Sequence, residues 1–279
     1  MSNEVPPLAA MSDWMGAVMR YRSDHPSSLR ILDTLDRILD RPYRTHALIR
    51  GEPGTGKEGL ARALHAAMHS DKDAPFVKIP SGSRDASVLC RHLFGSSDHP
   101  GALGRTHGGT LFLDEVATLP REVQARLAPA LRGRYRLEDD ERPRACDVVI
   151  IGATDHDLGE LVREGRFRHD LYYRLARIDL SIPPLRERTS DISRAAIWAG
   201  NRLLRNHGFD RNISLAADAE AGDFVLTDEA VAVLEHHGWA GNFRELDLIV
   251  ERMLMLYRDG TEVTADIVRA ALSAGAAGA

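Results

Sequence analysis

Glycines and one lysine near residue 50 have the types and the spacing that bind phosphate. Residues 51–58 read GEPGTGKE, in which two glycines bracket four residues and a lysine follows. Glycines let a loop turn its N–H groups toward phosphate oxygens, the following helix adds its positive end, and the lysine can reach the β- and γ-phosphates. The run predicts a P-loop (Walker A motif) that binds a nucleotide through Gly51, Glu52, Pro53, Gly54, Thr55, Gly56, Lys57 and Glu58.

A second run could supply the chemistry of hydrolysis. Residues 110–115 read TLFLDE and end in two carboxylates. A buried strand that ends in a solvated acidic pair would have the same pattern. Because the run lies downstream of a P-loop, we interpret it as a Walker B strand. Asp114 then helps to hold Mg²⁺ through its water shell, and Glu115 orients and polarises the attacking water. The predicted cofactors are ATP and Mg²⁺.

Both motifs need strands and helices to position them, and the chain predicts these elements. Short apolar or β-branched runs alternate with helix-length amphipathic stretches, which is typical of a parallel α/β sheet. The P-loop joins a strand to a helix, since residues 58–69 carry Leu60, Leu64 and Met68 on one helical face. The five predicted strands are 46–50, 76–79, 110–114, 148–153 and 178–182.

The strand pattern stops after Pro183-Pro184 and gives way to helical patterns near 190–207, 227–237, 242–258 and 263–272. Residues 209–224 are rich in Asp and Ala, which predicts a mobile connection. We therefore predict an N-terminal extension (1–25), an α/β nucleotide-binding subdomain (26–185), an all-helical lid subdomain (186–272) and a frayed tail (273–279).

Composition limits the class of protein. The chain has 279 residues, 43% of them hydrophobic and 28% charged, which is enough for one large or two moderate cores. The net charge of −5 gives no basic footprint for nucleic acid, so autonomous specific DNA binding is not predicted. Two cysteines, no secretory signal and no apolar run of membrane-spanning length together indicate a cytoplasmic protein.

Several strings, taken together and in order, resemble the AAA+ ATPase domain of bacterial enhancer-binding proteins, the sigma-54-dependent transcription activators. The resemblance covers about residues 25–272. Glu58, which lacks the hydroxyl that most P-loops use as a metal ligand, is the usual residue in this family. Besides the Walker motifs, the matching strings are LFG at 93–95, LPREVQARL at 119–127, RFRHDLYYRL at 166–175, PPLRER at 183–188 and GWAGNFREL at 238–246.

The resemblance implies an ATP-driven ring, commonly hexameric, with each active site between neighbouring subunits. Arg168 and Arg174 match the arginine fingers of the family, and a guanidinium at the γ-phosphate stabilises the charge that develops in phosphoryl transfer. Alternatively, both arginines only cover an acidic helical surface. Arg244 matches sensor II, which contacts the nucleotide of its own subunit, and Thr154 lies in the sensor I region.

Three departures from the family bear on function. Enhancer-binding ATPases have a GAFTGA loop that contacts sigma-54, but only Ser96 to His107 stand in that interval here. We expect this shortened segment to impair the usual contact. Pro80 stands where an asparagine couples the Walker B glutamate to the γ-phosphate, and Asp155 replaces the sensor I asparagine. We expect slow hydrolysis or altered coupling to motion.

Two functional classes remain open. In the leading interpretation, a ring-forming ATPase remodels a protein partner in transcription regulation, with sigma-54 RNA polymerase or another complex as the client. In the alternative, the ring assembles on ATP as a switch or scaffold with little turnover. About 25 residues precede the ATPase part and the chain ends with its lid, so we expect partners to supply targeting.

Two further clusters of side chains have weaker interpretations. Cys90, His92, His99 and His107 lie close in sequence, but their spacing fits no closed structural site, so no zinc site is predicted. Trp14 has helical spacing with Met11, Met15 and Met19. These residues could pack within their own subunit or on a neighbouring one.

Overall fold

The computed structural model describes residues 25–41, 43–80, 82, 85–220, 222–256 and 262–276. The predicted helix around Trp14 and residues 277–279 of the predicted tail lie outside this part of the chain. Internal contacts divide the chain into two units. The first contains Leu29–Glu52 and Gly56–Ile182, and the second contains Pro53–Thr55 and Pro183–Ala279.

A parallel sheet of five strands forms the centre of the described first unit, as the sequence predicts. Its strand order is β2-β3-β6-β1-β7, and β4 and β5 pair separately as a short antiparallel hairpin. The strands of this unit are β1 (Ala47–Arg50), β2 (Phe76–Pro80), β3 (Thr110–Asp114), β4 (Arg134–Tyr135), β5 (Arg144–Ala145), β6 (Val149–Thr154) and β7 (Ile178–Ser181).

The central strands are buried on both faces, which explains their uninterrupted apolar runs. Phe112 on β3 and Ile151 on β6 are fully buried and occupy matching positions in the register. Full burial of such a side chain stabilises the fold by about 1.5–3 kcal/mol. Because all five strands are parallel, their carboxyl ends lie at one edge, where Asp114 ends β3 and Thr154 ends β6.

Helices surround this sheet, and two of them begin at aspartates that cap them. Asp85 accepts hydrogen bonds from Ser87 N–H and Val88 N–H, and Asp157 accepts them from Gly159 N–H and Glu160 N–H. The helices are α1 (Pro26–Asp40), α2 (Lys57–Met68), α3 (Ala86–Phe94), α4 (Ala102–Arg105), α5 (Arg121–Leu127), α6 (Leu158–Arg163) and α7 (His169–Leu175).

The second unit is mainly helical, and its core is built around the fully buried Trp239. The indole Nε1–H donates to Leu234 O at 2.8 Å, which satisfies the one polar group of this side chain. The helices are α8 (Ile192–Asn206), α9 (Asp228–His236), α10 (Asn242–Leu256) and α11 (Ala265–Ala276). Residues 273–276, predicted to be frayed, therefore form the end of a helix.

The second unit is not all-helical, which corrects the prediction. Strands β8 (Ile213–Leu215), β9 (Phe224–Leu226) and β10 (Glu262–Val263) form a small parallel sheet in the order β10-β9-β8. The predicted mobile connection at 209–224 contains one of these strands. Asp223 holds it, because its carboxylate accepts hydrogen bonds from Asn212 N–H, the Ser214 hydroxyl and Glu220 N–H. Strands of two or three residues are too short for a periodic signal.

Candidate nucleotide-binding site

The loop between β1 and α2 has the backbone conformation that a P-loop requires. Gly54 and Gly56 have φ angles of +78° and +98°, a region that residues with a Cβ rarely adopt. The loop starts where Gly51 N–H donates to Thr154 O at 3.1 Å, and α2 starts where Leu60 N–H donates to Gly56 O at 3.1 Å. The glycines of the sequence motif are therefore where left-handed turns occur.

Lys57 holds its ammonium group inside this loop. Lys57 Nζ donates to Gly51 O at 2.7 Å and to Glu52 O at 3.3 Å, and the side chain is only 8% exposed. The same nitrogen lies 3.5 Å from Oε1 of Glu115. Lys57 and Glu115 are 58 residues apart in sequence. Their ion pair thus brings the two predicted motifs together.

Glu115 has an unusual backbone and an unusual charge environment. Its φ of +62° places a non-glycine residue in the left-handed region, which costs free energy and is common at functional sites. Burial raises the pKa of the Glu115 carboxyl, Lys57 lowers it, and the nearby Asp155 carboxylate raises it again. The net pKa lies above the usual value. The Walker B glutamate therefore keeps its proton to a higher pH than a solvated glutamate does.

Asp155, at the predicted sensor I position, lies beside Glu115. The ligand atoms of Glu115, Asp155 and His156 all lie within 4.8 Å of one another. Asp155 Oδ1 is 2.6 Å from His156 Nδ1. Thr154 is fully buried, and its hydroxyl oxygen accepts a hydrogen bond from His156 N–H at 3.1 Å. The sequence predicts Asp155 near phosphate but does not predict its contact with Glu115.

Lys78 joins the two motifs from the neighbouring strand, and the sequence analysis missed it. It lies on β2 two residues before Pro80, so both side chains point to the same face of the sheet. Lys78 Nζ lies 2.7 Å from Glu58 Oε2 and 3.1 Å from Asp114 Oδ2. Burial alone would raise the pKa of Glu58, but hydrogen bonds from Lys78 and Arg62 hold it below its usual value. Side chains along β2 alternate between the two faces of the sheet, and this alternation could have placed Lys78 on the same face as Pro80 from the sequence alone.

The two candidate arginine fingers lie at the ends of α7. The Arg168 guanidinium donates two hydrogen bonds to the Asp170 carboxylate, at 2.9 and 3.1 Å, which lowers the pKa of Asp170. Arg174 is half-buried in the last turn of the helix. Gln124, which is fully buried, accepts a hydrogen bond from Arg168 N–H at 2.8 Å. The action of both arginines on a neighbouring subunit stays a prediction.

Arg244 lies in the first turn of α10, within the second unit. Two loop residues of the same unit contact this turn: Gly54 O accepts from Phe243 N–H at 3.0 Å, and Pro53 O accepts from Asn242 Nδ2 at 3.0 Å. A Cβ on Gly54 would overlap Gly241 O and lie 3.3 Å from Arg244 Cβ. The sensor II candidate is therefore packed against the tip of the predicted P-loop.

The shortened segment between Gly95 and His107 folds back on itself. Gly95 and Pro100 form an isolated antiparallel bridge, and Ser97 N–H donates to both carboxylate oxygens of Asp139 at 3.0 Å. Glu138 N–H donates to Gly95 O at 2.9 Å. The segment is thus attached to the β4–β5 hairpin connection instead of forming an extended loop.

Comparison with known proteins identifies the family. A model of the sigma-54 interaction domain matches residues 22–181, and a model of the AAA+ ATPase lid domain matches residues 186–279. The chain belongs to the sigma-54 interaction domain family. This confirms the resemblance to enhancer-binding activators and the AAA+ fold with a helical lid.

Relatives of this sigma-54 interaction domain include a Nif-specific regulatory protein of Azospirillum lipoferum. The two are 35% identical over 245 residues, which cover 84% of this chain and 37% of the relative. NtrX from Brucella abortus in complex with ADP is 32% identical with a TM-score of 0.75, over 90% of this chain and 55% of that one. NtrX in complex with ATP is 31% identical with a TM-score of 0.74, over 88% of this chain and 53% of that one.

This sigma-54 interaction domain thus spans between about a third and about half of the length of these relatives. None of its described helices combines the length and the apolar composition needed to cross a membrane.

The residues of this sigma-54 interaction domain fit a nucleotide with its metal. Left-handed glycines, the N-terminus of the 12-residue helix α2 and the buried Lys57 ammonium suit an anion. Carboxylate oxygens of Asp114 and Glu115 stand at the carboxyl end of β3, at the same edge of the sheet as the loop, and suit a hard cation that keeps part of its water shell. Glu58 offers no hydroxyl, so the metal would rely on Asp114 and on the nucleotide itself.

Proposed function

We propose that this protein hydrolyses ATP with Mg²⁺, forms a ring, and couples ATP binding and hydrolysis to the remodelling of a protein partner in transcription regulation. One observation carries the proposal: the Lys57 ammonium lies 3.5 Å from the Glu115 carboxylate, which brings the phosphate-binding cation and the water-activating group together. Its relative NtrX has been solved with ATP and with ADP, which supports the choice of nucleotide.

Each side chain then has a defined part in the reaction. Mg²⁺, which Asp114 would hold through its water shell, would neutralise phosphate charge and make the γ-phosphorus more electrophilic. Lys57 adds positive charge at the phosphates, and Asp114 accepts hydrogen bonds from the water shell of the metal. Glu115 orients the attacking water and takes up its proton. Thr154, at the end of the strand beside Walker B, positions the loop that carries Asp155.

Three arginines complete the proposed mechanism. Arg168 and Arg174 reach the nucleotide of a neighbouring subunit and stabilise the charge that develops on the γ-phosphate, which makes hydrolysis depend on ring assembly. Arg244 contacts the nucleotide of its own subunit and reports its state to the second unit. The local pairing of Arg168 with Asp170 means that ring assembly must exchange this partner for phosphate.

The client is engaged by a route other than an extended sigma-54 loop. The segment that would form this loop is short and is attached to Asp139 and Glu138. We therefore propose that a sigma-54 RNA polymerase client contacts a different surface, or that another complex takes its place. The absence of a basic footprint favours a protein client over sequence-specific DNA binding by this domain. Cytoplasmic location stays a prediction.

A specific observation favours a second function, that of a nucleotide-dependent switch with little turnover. Glu115 is engaged by Lys57 and Asp155, and Pro80 offers neither a side-chain amide nor an N–H where the family has an asparagine. A glutamate held in this way activates water poorly. ATP binding would then assemble the ring and expose a binding surface without repeated hydrolysis.

ATP hydrolysis measured against protein concentration separates these functions. The proposed enzyme shows a rate per subunit that rises as the ring assembles, and Glu115→Gln reduces it by about 10²-fold or more while ATP binding is retained. Glu160→Gln, which removes an exposed glutamate from the same unit, is the matched control and keeps the wild-type rate. Saturable ATP binding with a rate equal to that of Glu115→Gln would establish the switch instead.

The same Glu115→Gln protein, loaded with ATP, serves to find the client. Proteins retained from a native lysate are compared with those retained by Lys57→Met, which lacks the phosphate-binding charge. Recovery of sigma-54 with RNA polymerase by Glu115→Gln alone supports the transcriptional role. Recovery of another complex without sigma-54 would reject that role and retain the ATPase.

A further inference from the structure

Lys78 stands between two carboxylates that belong to different nucleotide motifs. Its Nζ lies 2.7 Å from Oε2 of Glu58, which follows the Walker A lysine, and 3.1 Å from Oδ2 of Asp114 in Walker B. The three side chains are each about one-third exposed, so solvent reaches them but does not surround them. One ammonium group is therefore shared by two motifs on adjacent elements of the fold.

Glu58 creates an electrostatic difficulty that Lys78 resolves. It replaces the hydroxyl of ordinary P-loops with a negative charge one residue after Lys57, at the start of the helix that faces phosphate. Arg62 contacts the other carboxylate oxygen, Oε1, at 2.8 Å. Each oxygen of Glu58 thus has its own cation, but only Lys78 also contacts Asp114.

The contact with Asp114 places Lys78 in competition with the metal. Asp114 has two carboxylate oxygens, and Lys78 occupies Oδ2. A cation beside Asp114 lowers its attraction for Mg²⁺, and the same cation attracts the phosphates of a nucleotide that carries no metal. Lys78 should therefore make nucleotide binding less dependent on Mg²⁺.

We propose that Lys78 is a positioning residue that neutralises Glu58, orients Asp114 and partly substitutes for Mg²⁺ in holding ATP at this site. The proposal rests on the nucleotide binding argued above and deepens it. In this protein the missing hydroxyl ligand is compensated by a lysine from the neighbouring strand, and not by another oxygen ligand.

The test compares binding of a non-hydrolysable ATP analogue, by calorimetry, in saturating Mg²⁺ and in EDTA. The informative quantity is the ratio of the two Kd values for each variant. Lys78→Met is expected to raise the Kd in EDTA by on the order of tenfold and the Kd in Mg²⁺ by no more than about threefold. The Mg²⁺ concentration that gives half-maximal binding is expected to fall, because Asp114 loses its competing cation.

Two variants control this measurement. Lys72→Met removes an exposed lysine from the same unit and is expected to leave both Kd values within about twofold of wild type. Lys78→Arg keeps the charge and is expected to keep the wild-type ratio. Combining Lys78→Met with Asp114→Asn should abolish the fall in the half-maximal Mg²⁺ concentration, since the competing pair no longer exists.

Different outcomes would reject the proposed role of Lys78 and the proposed nucleotide-binding function. If Lys78→Met leaves the ratio of the two Kd values unchanged, because both increase by the same factor or neither changes, Lys78 does not substitute for Mg²⁺ and the proposal is rejected. Thermal midpoints measured without nucleotide identify a variant that fails to fold, in which case Lys78→Gln, which removes the charge but keeps a polar side chain, carries the test with the same expected change in the ratio. If the wild type binds the analogue in neither condition, the proposed nucleotide function itself is wrong.

Discussion

Replacement of Asp155 by asparagine should raise the rate of ATP hydrolysis on the acidic side of the pH profile. Asp155 lies beside Glu115 with their ligand atoms within 4.8 Å of one another, and it raises the pKa of Glu115. Two unit charges at this separation interact by about 1 kcal/mol in water and by about 3.5 kcal/mol at an effective dielectric constant near 20. Both side chains are about 30% exposed, and Lys57 and His156 offset part of the repulsion. We therefore expect an effect near the lower value, which corresponds to about fivefold in the ionised fraction of Glu115, and hence in kcat, at pH values below the pKa of Glu115.

The pH dependence of the same variant fixes the cause. Burial raises the pKa of Glu115, Lys57 opposes it, and Asp155 raises it further. In the proposed mechanism Glu115 must be ionised to take a proton from water, so hydrolysis should increase as pH rises through this pKa. Asp155→Asn removes one of the causes that raise the pKa, and the acidic limb of the rate profile should therefore move to lower pH.

A steady-state ATPase assay between pH 5 and 9, at protein concentrations above those for ring assembly, measures both effects. Asp157→Asn is the matched control. It removes a carboxylate two residues away, and asparagine caps helix α6 as well as aspartate does. A variant Asp155→Asn with unchanged or lower kcat and an unmoved acidic limb would refute the idea that Asp155 restrains Glu115.

Three further predictions concern the loop, the shortened segment and a half-buried histidine. Gly56→Ala should abolish ATP binding by calorimetry and lower stability by about 1 kcal/mol or more, because its φ of +98° suits only glycine; wild-type affinity would contradict this. Asp139→Ala should increase proteolytic cleavage near residues 96–100, because Ser97 N–H loses its acceptor, and unchanged cleavage would show that other contacts hold the segment. Burial, with the charge of His69, lowers the pKa of His65 to about 4, so the folded protein binds this proton less readily than the unfolded chain. Stability should therefore fall between pH 6.5 and about 4, and denaturant titrations of His65→Gln should show a shallower loss.

The sequence predicts the scaffold well because its signals are local or periodic. All five predicted strands of the main sheet occur within one or two residues of their predicted ends. The positions of the P-loop turns could be predicted, because their left-handed backbone conformation strongly favours glycine. The strands of the second unit escaped prediction, since runs of two or three residues such as Glu262–Val263 carry no period.

Contacts between side chains on different strands could not be read from the sequence. Lys78 and Asp114 are 36 positions apart, and nothing local indicates that an ammonium reaches both Asp114 and Glu58. The contact between Asp155 and Glu115 likewise depends on the adjacency of β3 and β6. The motifs predict which residue types form the site. The order of the strands decides which charged side chains lie close to one another.

Strand order also connects the two departures near Glu115. In the sheet, β3 lies between β2 and β6, so that Asp114 is paired in register with Pro80 on one side and Ala153 on the other. Pro80 and Asp155 thus flank the Walker B carboxylates from opposite sides. Pro80 offers no side-chain hydrogen bond, whereas the Asp155 carboxylate lies within 4.8 Å of Glu115. The two substitutions therefore act on one group. Asp155 approaches Glu115 where Pro80 cannot, so if Asp155 restrains Glu115 only weakly, the ion pair with Lys57 remains the principal contact of this carboxylate in the part of the chain that the structure describes.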